Sequence, residues 1–347
     1  MKNSAPVRLA FLLATISLFC SFSTKAQDLG SGEVIKVDTR LVSVPVIVSD
    51  RNGRYIPNLK AADFSVFQDG VKQEVEFFAA TEEPLTVALL IDTSQSTRSV
   101  LDDIEDSAVS FVKLLGPKDR AMIVSFDYDT HILSGITSDK QQLERAIYSA
   151  EIPEDFGTTL RDAVYETVNR SFAGITGRKA IILMTDGKDA RSRVSSGDLL
   201  YTLQETDTLI YTIMFKTNER QALRQVMGGE RRRNGGIFGG GGMGGRFPGG
   251  GNGRRRSERI EQNNRNAAEF LQTLSTTTAG RFYESEDGKL KRTFASIVDE
   301  LRFQYRLGYY PADETSTEKV HQIKVKIGRD GVVVRARSSY RSTEVSK

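Results

Sequence analysis

Residues 85–96 read LTVALLIDTSQS, an almost continuous apolar run that ends in a cluster of polar side chains. A run such as Leu85–Ile91 is typical of a strand that is buried on both faces of a parallel sheet. The residues Asp92-Thr93-Ser94-Gln95-Ser96 follow it without a spacer. This stretch therefore predicts a central strand whose carboxyl end leads into a polar loop.

The chain after this strand alternates between helical and strand patterns. The apolar residues of 101–115 recur on one helical face, and Ala180–Thr185 reads AIILMT, a second fully buried strand. Together with strands at Ala121–Phe126, around Ile132 and at Leu209–Phe215, this pattern predicts an α/β fold with an open, doubly wound, mostly parallel sheet. In the strand order 3-2-1-4-5-6 the first and fourth strands are neighbours, so Asp92 and Asp186 would lie side by side where ligands bind.

Three motifs supply oxygen donors to that edge of the sheet: the DTSQS loop, Phe156-Gly157-Thr158-Thr159-Leu160 and Thr185-Asp186-Gly187. We find no histidine or cysteine beside them in the sequence. Carboxylates and hydroxyls are hard ligands that suit Mg²⁺, Mn²⁺ or Ca²⁺ rather than zinc or copper. Ser94 and Ser96 lie two residues apart on a turn, so both hydroxyls could face one ion.

These motifs resemble those of the von Willebrand factor type A (VWA) domain family, whose D-x-S-x-S, central threonine and TDG elements occur here in the same order. The resemblance covers roughly residues 84–300 and implies a Rossmann-like sheet. It also implies a metal-ion-dependent adhesion site, in which a carboxylate of a protein partner completes the coordination. Carried over by motif, the implied metal ligands are Asp92, Ser94, Ser96, Thr158 and Asp186. Thr158 is preferred to Thr159 because it directly follows the glycine.

Both ends of the chain read as β-structure. Residues 33–80 contain an alternating strand around Val42–Val48 and a hairpin at Asp69-Gly70, with strands at 64–68 and 71–78. Residues 305–340 contain further alternating strands. About seven short strands predict one Ig-like β-sandwich built from both ends, with the VWA-like domain inserted between them. Two separate small β modules are the alternative, and Pro45 predicts an edge strand or a bulge.

The N-terminus has the layout of a secretory signal peptide. Lys2 and Arg8 precede the apolar run Leu9–Cys20, and a small-residue cleavage pattern ends at Ala26. The run is shorter than the span of about 20 residues that a membrane anchor needs. We therefore expect residues 1–26 to be removed and the protein to be periplasmic or extracellular.

Loss of residues 1–26 would remove three of the 48 basic side chains and leave 45 basic against 45 acidic ones. The balanced charge gives no support for specific nucleic-acid binding. The only cysteine would be lost too, so the mature chain could form no disulfide. No other segment is apolar enough to span a bilayer.

A glycine- and arginine-rich segment, residues 228–257, is expected to be a disordered loop inserted in the VWA-like domain. It lacks the G-x-x-x-x-G-K-[ST] pattern of a phosphate-binding loop. Its arginine triplets would contact a polyanion. Alternatively, the segment is only a flexible, soluble loop with no fixed partner. Outside it, Asp127 and Asp129 are interpreted as a solvated turn rather than a second ion site, and His131 and His321 as structural.

The sequence favours an exported interaction module that uses a divalent metal, Mg²⁺ or alternatively Mn²⁺ or Ca²⁺, and is not an enzyme. A metal-assisted hydrolase is the first alternative, but it lacks an obvious general base. An envelope scaffold whose metal only stabilises the fold is the second. Metal-dependent binding of an acidic partner would separate the first hypothesis from the other two.

Overall fold

The computed structural model describes residues 41–80, 83–215, 252–285, 289–311 and 320–342. The strands are β1 (Val42–Asp50), β2 (Phe64–Gln68), β3 (Val71–Gln73), β4 (Phe77–Ala80), β5 (Leu85–Asp92), β6 (Arg120–Phe126), β7 (Thr130–Thr137), β8 (Arg178–Thr185), β9 (Leu209–Met214), β10 (Phe282–Glu284), β11 (Gln304–Tyr309), β12 (Val320–Ile327), β13 (Val332–Ala336) and β14 (Ser339–Arg341). The α-helices are α1 (Leu101–Leu114), α2 (Lys140–Ile147), α3 (Leu160–Glu166), α4 (Ser196–Leu203), α5 (Asn252–Thr277) and α6 (Leu290–Arg302). Short turns of 3₁₀-helix occupy Ala61–Asp63 and Gln95–Thr97, and a π-helical turn, Thr167–Ser171, follows α3.

The central sheet has six strands in the order β7-β6-β5-β8-β9-β10. Every neighbouring pair is parallel except β6 and β7, so the antiparallel strand lies at one edge. Numbered along the chain within this sheet, the order is 3-2-1-4-5-6. The predicted α/β fold class and strand order are therefore confirmed.

The central strand β5 is buried along its whole length because helices cover both faces of the sheet. Val87, Leu89 and Ile91 face the core that also contains buried residues of α1, α2 and α6. Ala88 and Leu90 face the core formed with α3, α4 and α5. This double burial is why the sequence of β5 shows a continuous apolar run rather than an alternation.

The remaining strands form two antiparallel four-stranded sheets, ordered β13-β1-β11-β4 and β14-β12-β2-β3. Strands from the two ends of the chain pair directly, since β1 lies between β11 and β13, and β2 pairs with β12. Buried residues of both sheets share one apolar core. This pairing excludes the alternative of two separate β modules, while the domain bounds 33–80, 84–300 and 305–340 stay predictions.

Two details of the β-segments correct the sequence interpretation. Strand β1 is not an edge strand, although it contains Pro45. The ladder between β1 and β13 begins at Val46, so Pro45 withholds no N–H from that ladder. The single strand predicted over 71–78 is instead two strands in different sheets, β3 and β4.

The Asp69-Gly70 hairpin is confirmed, with positive φ angles of 49° and 86° at the two turn residues. His321 is buried beside this turn, with Nδ1 2.8 Å from Asp69 Oδ2 and its ring stacked on Tyr340. These contacts agree with the structural interpretation of His321.

Several predictions fall partly or wholly outside the described residues. They include the signal peptide at residues 1–26 and residues 228–251 of the glycine- and arginine-rich segment. The predicted loop bound of 257 is wrong, because α5 begins at Asn252 and its helical backbone includes residues 252–257. Among the described residues, no helix is long and apolar enough to cross a membrane.

Candidate metal site

Three aspartates follow three adjacent strands at the same edge of the central sheet. Asp92 ends β5, Asp186 follows β8 on one side of it, and Asp127 follows β6 on the other. All three are at most 2% exposed. Parallel strands bring their carboxyl ends to one edge, so chain positions far apart in sequence meet there.

The carboxylate of Asp92 is fixed by hydrogen bonds to both oxygens. Oδ1 accepts the backbone N–H of Ser94 at 2.9 Å, and Oδ2 accepts the hydroxyl of Thr185 at 2.6 Å. Burial, and next the negative charge of Asp186, raise the pKa of Asp92 to about 7. Two buried carboxylates that repel each other are an environment that a cation would stabilise.

The two serines of the first motif point toward one another. Ser94 Oγ and Ser96 Oγ are 3.1 Å apart, on a tight turn closed by Thr97. The Thr97 hydroxyl contacts the carbonyl oxygens of Asp92 and Ser94, both at 2.8 Å. The structure thus brings Asp92, Ser94 and Ser96 together, and their role as metal ligands stays a prediction.

The threonine motif is hydrogen-bonded to the loop that follows β8 and to the loop that follows β6. The carbonyl oxygen of Thr158 accepts N–H groups of Ala190 and Arg191, at 3.1 and 3.0 Å. The N–H and hydroxyl of Thr159 both donate to the carbonyl oxygen of Asp127. These bonds hold Thr159 beside Asp127, and Thr158 stays the predicted ligand of the motif.

Asp186 has a neighbour that the sequence did not reveal. The ammonium of Lys188 lies 2.7 Å from Asp186 Oδ2, and the Lys188 N–H donates to Asp186 Oδ1 at 3.1 Å. Lys188 therefore balances one of the two negative charges of the site. In the sequence, the only sign of this contact is a lysine two residues after the motif aspartate. Its position does not show whether the side chain points toward the aspartate or into solvent.

Asp127 is not the solvated turn that the sequence suggested. Its Oδ2 accepts the hydroxyl of Thr93 at 2.9 Å, and its Oδ1 accepts the N–H of Asp129. Asp127 thus joins the first motif loop to the threonine motif through Thr93 and Thr159. The sequence feature that could have revealed this role is the position of Asp127 directly after a buried strand, which Asp92 and Asp186 share.

A histidine also lies closer to this site than the sequence indicated. His131 Nε2 is 3.4 Å from Asp127 Oδ1, since the hairpin between β6 and β7 folds it back. Its side chain is 43% exposed and makes an edge contact with Tyr128.

The donor set fits a hard divalent cation. Asp92 and Asp186 supply carboxylates, while Ser94, Ser96 and Thr158 supply hydroxyls. In the part of the chain that the structure describes, no group of three or more His, Cys, Asp or Glu side chains is placed to hold a metal. Carboxylate and hydroxyl oxygens are ligands that suit hard divalent cations.

Comparison with known proteins identifies the domain that carries this site. Residues 86–237 match the family model of the von Willebrand factor type A domain. No curated protein matches the chain.

Solved structures that are similar include the conserved hypothetical protein BatB from Bacteroides thetaiotaomicron (16% identity, TM-score 0.42, covering 62% of this chain and 98% of that one). They also include the vWF domain of the type V pili tip protein Mfa5 from Porphyromonas gingivalis (14% identity, TM-score 0.41, 62% and 94%). A third is proximal thread matrix protein 1 from the mussel byssus with a zinc-occupied MIDAS motif (15% identity, TM-score 0.44, 67% and 49%).

Proposed function

Because the chain carries a von Willebrand factor type A domain, we propose that it is an exported interaction module that binds an acidic group of a protein partner through a divalent metal. The observation that carries this proposal is the buried pair Asp92 and Asp186 beside the converging hydroxyls of Ser94 and Ser96. These residues and Thr158 would hold the ion. When bound, the ion supplies an electrophilic position for a carboxylate.

The chain's own residues prepare the site for this role. Thr185 and the Ser94 N–H orient Asp92, and Asp127 holds the first loop against the threonine motif. Three of the five proposed ligands are neutral hydroxyls, which leave the ion more electrophilic than a set made of carboxylates would, so it can still bind a carboxylate from outside. Mg²⁺ is the proposed ion, with Mn²⁺ and Ca²⁺ as alternatives of the same hard class.

Export is the second part of the proposal, and it depends on the signal-peptide pattern at residues 1–26. It predicts that the mature protein begins after Ala26 and is recovered from the periplasm or the exterior. N-terminal sequencing of the protein purified from each fraction tests it. A protein recovered from the cytoplasm with residues 1–26 intact would contradict it.

Two alternatives make different predictions. A metal-assisted hydrolase would need a general base, for which His131 is the nearest histidine, and its turnover would vanish in both Asp92→Ala and His131→Ala. A scaffold with a structural metal would lose melting temperature on chelation and bind no acidic probe. No observation of the site favours either alternative over binding.

The experiment uses a carboxylate probe and its uncharged counterpart. We would titrate the Mn²⁺-loaded protein with acetyl-Gly-Glu-Gly-amide and with acetyl-Gly-Gln-Gly-amide, each in metal and in chelator. Binding of the Glu peptide only, in metal only, and its loss in Asp92→Ala would support the proposal. Asp198→Ala changes an exposed aspartate on α4 and is the matched control.

Equal binding of the Glu peptide in chelator would contradict the proposal. Binding of metal without any binding of the Glu peptide would also contradict it, and would favour the structural-metal alternative.

A further inference from the structure

Phe156 is the most exposed large apolar side chain among the described residues, at 66% exposure. It stands two positions before Thr158, one of the proposed metal ligands. An exposed aromatic ring beside a binding site loses contact with water when a ligand covers it, which makes it a source of affinity.

The exposure of Phe156 is built into the loop. Arg191 Nη1 donates to the carbonyl oxygen of Phe156 at 3.3 Å. Gly157 has a φ of +142°, and the side chain of Arg191 occupies the position that a Cβ would take, with Cδ 2.0 Å from it. The positive φ angle favours glycine at this position, and the hydrogen bond from Arg191 holds the backbone of Phe156 against the loop that follows Asp186.

A second contact fixes the same loop from the other side. The side-chain amide of Gln95, inside the first metal-binding motif, donates to the carbonyl oxygen of Pro153. The loop that carries Phe156 is thus tied to both neighbouring motif loops. Its aromatic ring is therefore presented by the same framework that positions the proposed ligands.

A second aromatic ring lies on the neighbouring loop. Tyr128 is 37% exposed and follows Asp127, whose carbonyl oxygen accepts the N–H of Thr159 at 2.8 Å. This hydrogen bond joins the loop of Tyr128 to the loop of Phe156. Together we call Phe156 and Tyr128 the aromatic rim.

The charges near the aromatic rim are mixed. Arg98 and Arg191 are exposed, and so are Glu154 and Asp155, which directly precede Phe156. A run of acidic residues would approach two exposed carboxylates and gain little from steering. A partner with a single carboxylate next to an apolar side chain would match both the proposed metal site and the exposed aromatic rings.

Building on the proposed function, we propose that the aromatic rim binds the side chain next to the partner's metal-binding carboxylate. The partner is then a protein segment with one Asp or Glu flanked by a large apolar residue. The carboxylate completes the metal site and the apolar side chain covers Phe156 and Tyr128.

The test compares three peptides on the Mn²⁺-loaded full chain: acetyl-Gly-Glu-Gly-amide, acetyl-Leu-Glu-Leu-amide and acetyl-Glu-Glu-Glu-amide. Burying roughly 50–60 Å² of apolar surface corresponds to about a tenfold gain in affinity. We therefore expect the Leu-flanked peptide to bind about tenfold more tightly than the Gly-flanked one, and the triple-Glu peptide to gain less than that.

Phe156→Ser should reduce the preference for the Leu-flanked peptide to about twofold or less and leave Mn²⁺ affinity unchanged. Tyr148→Ser is the matched control, because Tyr148 is 55% exposed and its hydroxyl contacts Asp106 in the middle of α1. That variant should keep the full preference.

Equal affinity for the Leu- and Gly-flanked peptides would overturn this inference while leaving metal-dependent carboxylate binding intact. Tightest binding of the triple-Glu peptide would also overturn it, and would favour a partner that is recognised through a run of acidic residues. Failure of all three peptides to bind in metal would overturn the proposed function as well.

Discussion

Glu300 is a buried carboxylate that joins the central sheet to the antiparallel β-segments, and its replacement should destabilise both. It lies on α6 with a fully buried side chain, and it accepts the hydroxyls of Tyr211 on β9 and Tyr55 after β1, at 3.0 and 2.9 Å. Arg335 of β13 and Arg281 also pair with it. Burial raises the pKa of Tyr211 well above its ordinary value, so this hydroxyl stays protonated and donates.

The perturbation is Glu300→Gln, which keeps the volume of the side chain but removes its charge. Breaking a buried ion pair on one side costs about 3–5 kcal/mol when the partner stays buried. Arg281 and Arg335 are 39% and 23% exposed, so water compensates part of that loss. We expect the free energy of unfolding to fall by about 2–4 kcal/mol.

Urea unfolding followed by circular dichroism measures this change, with Asp299→Asn as the matched control. Asp299 is the preceding residue of α6, is 58% exposed and has its partner Arg302 at 3.9 Å. An exposed pair of this kind contributes about 0–1 kcal/mol. A loss below about 1 kcal/mol in Glu300→Gln, or a loss equal to that of Asp299→Asn, would refute the reasoning.

Two further predictions concern the charges of the metal site. Burial and the charge of Asp186 raise the pKa of Asp92 to about 7. Between about pH 4 and 7 the Asp92 carboxyl is therefore protonated in the metal-free folded protein but ionised in the unfolded chain. The free energy of unfolding should fall as pH rises through this range. Asp92→Asn should flatten this dependence and raise the melting temperature at pH 8 in chelator; an unchanged pH profile would contradict it. Lys188→Met should strengthen Mg²⁺ binding by at least about tenfold, because the ammonium beside Asp186 repels the cation. Lys179→Met, at the opposite end of β8 and paired with Asp207, should leave Mg²⁺ affinity unchanged, and calorimetry that showed weaker binding in Lys188→Met would refute this.

The strand order and the meeting of Asp92 with Asp186 could be predicted because each depends on one strong local signal. Burial on both faces makes β5 and β8 read as unbroken apolar runs, and a parallel sheet brings the residues that follow such runs to one edge. The proposed ligand set, which stays a prediction, came from the family motifs rather than from spacing alone.

The parts that could not be predicted depend on contacts between distant segments. Lys188 and Glu300 are ordinary charged residues in sequence, and only tertiary packing turns them inward against Asp186 and the tyrosines. Pro45 misled the sequence interpretation because a proline signals an edge only where a ladder needs its N–H, and the β1–β13 ladder starts one residue later.

Calorimetric titration of the chelated protein with Mg²⁺ tests the central claim most directly, with wild type compared against Asp92→Ala. The account predicts saturable binding at one site in the wild type and loss of that heat in the variant, with Asp198→Ala unchanged. Absence of Mg²⁺ and Mn²⁺ binding in the wild type, or equal binding in Asp92→Ala, would contradict it.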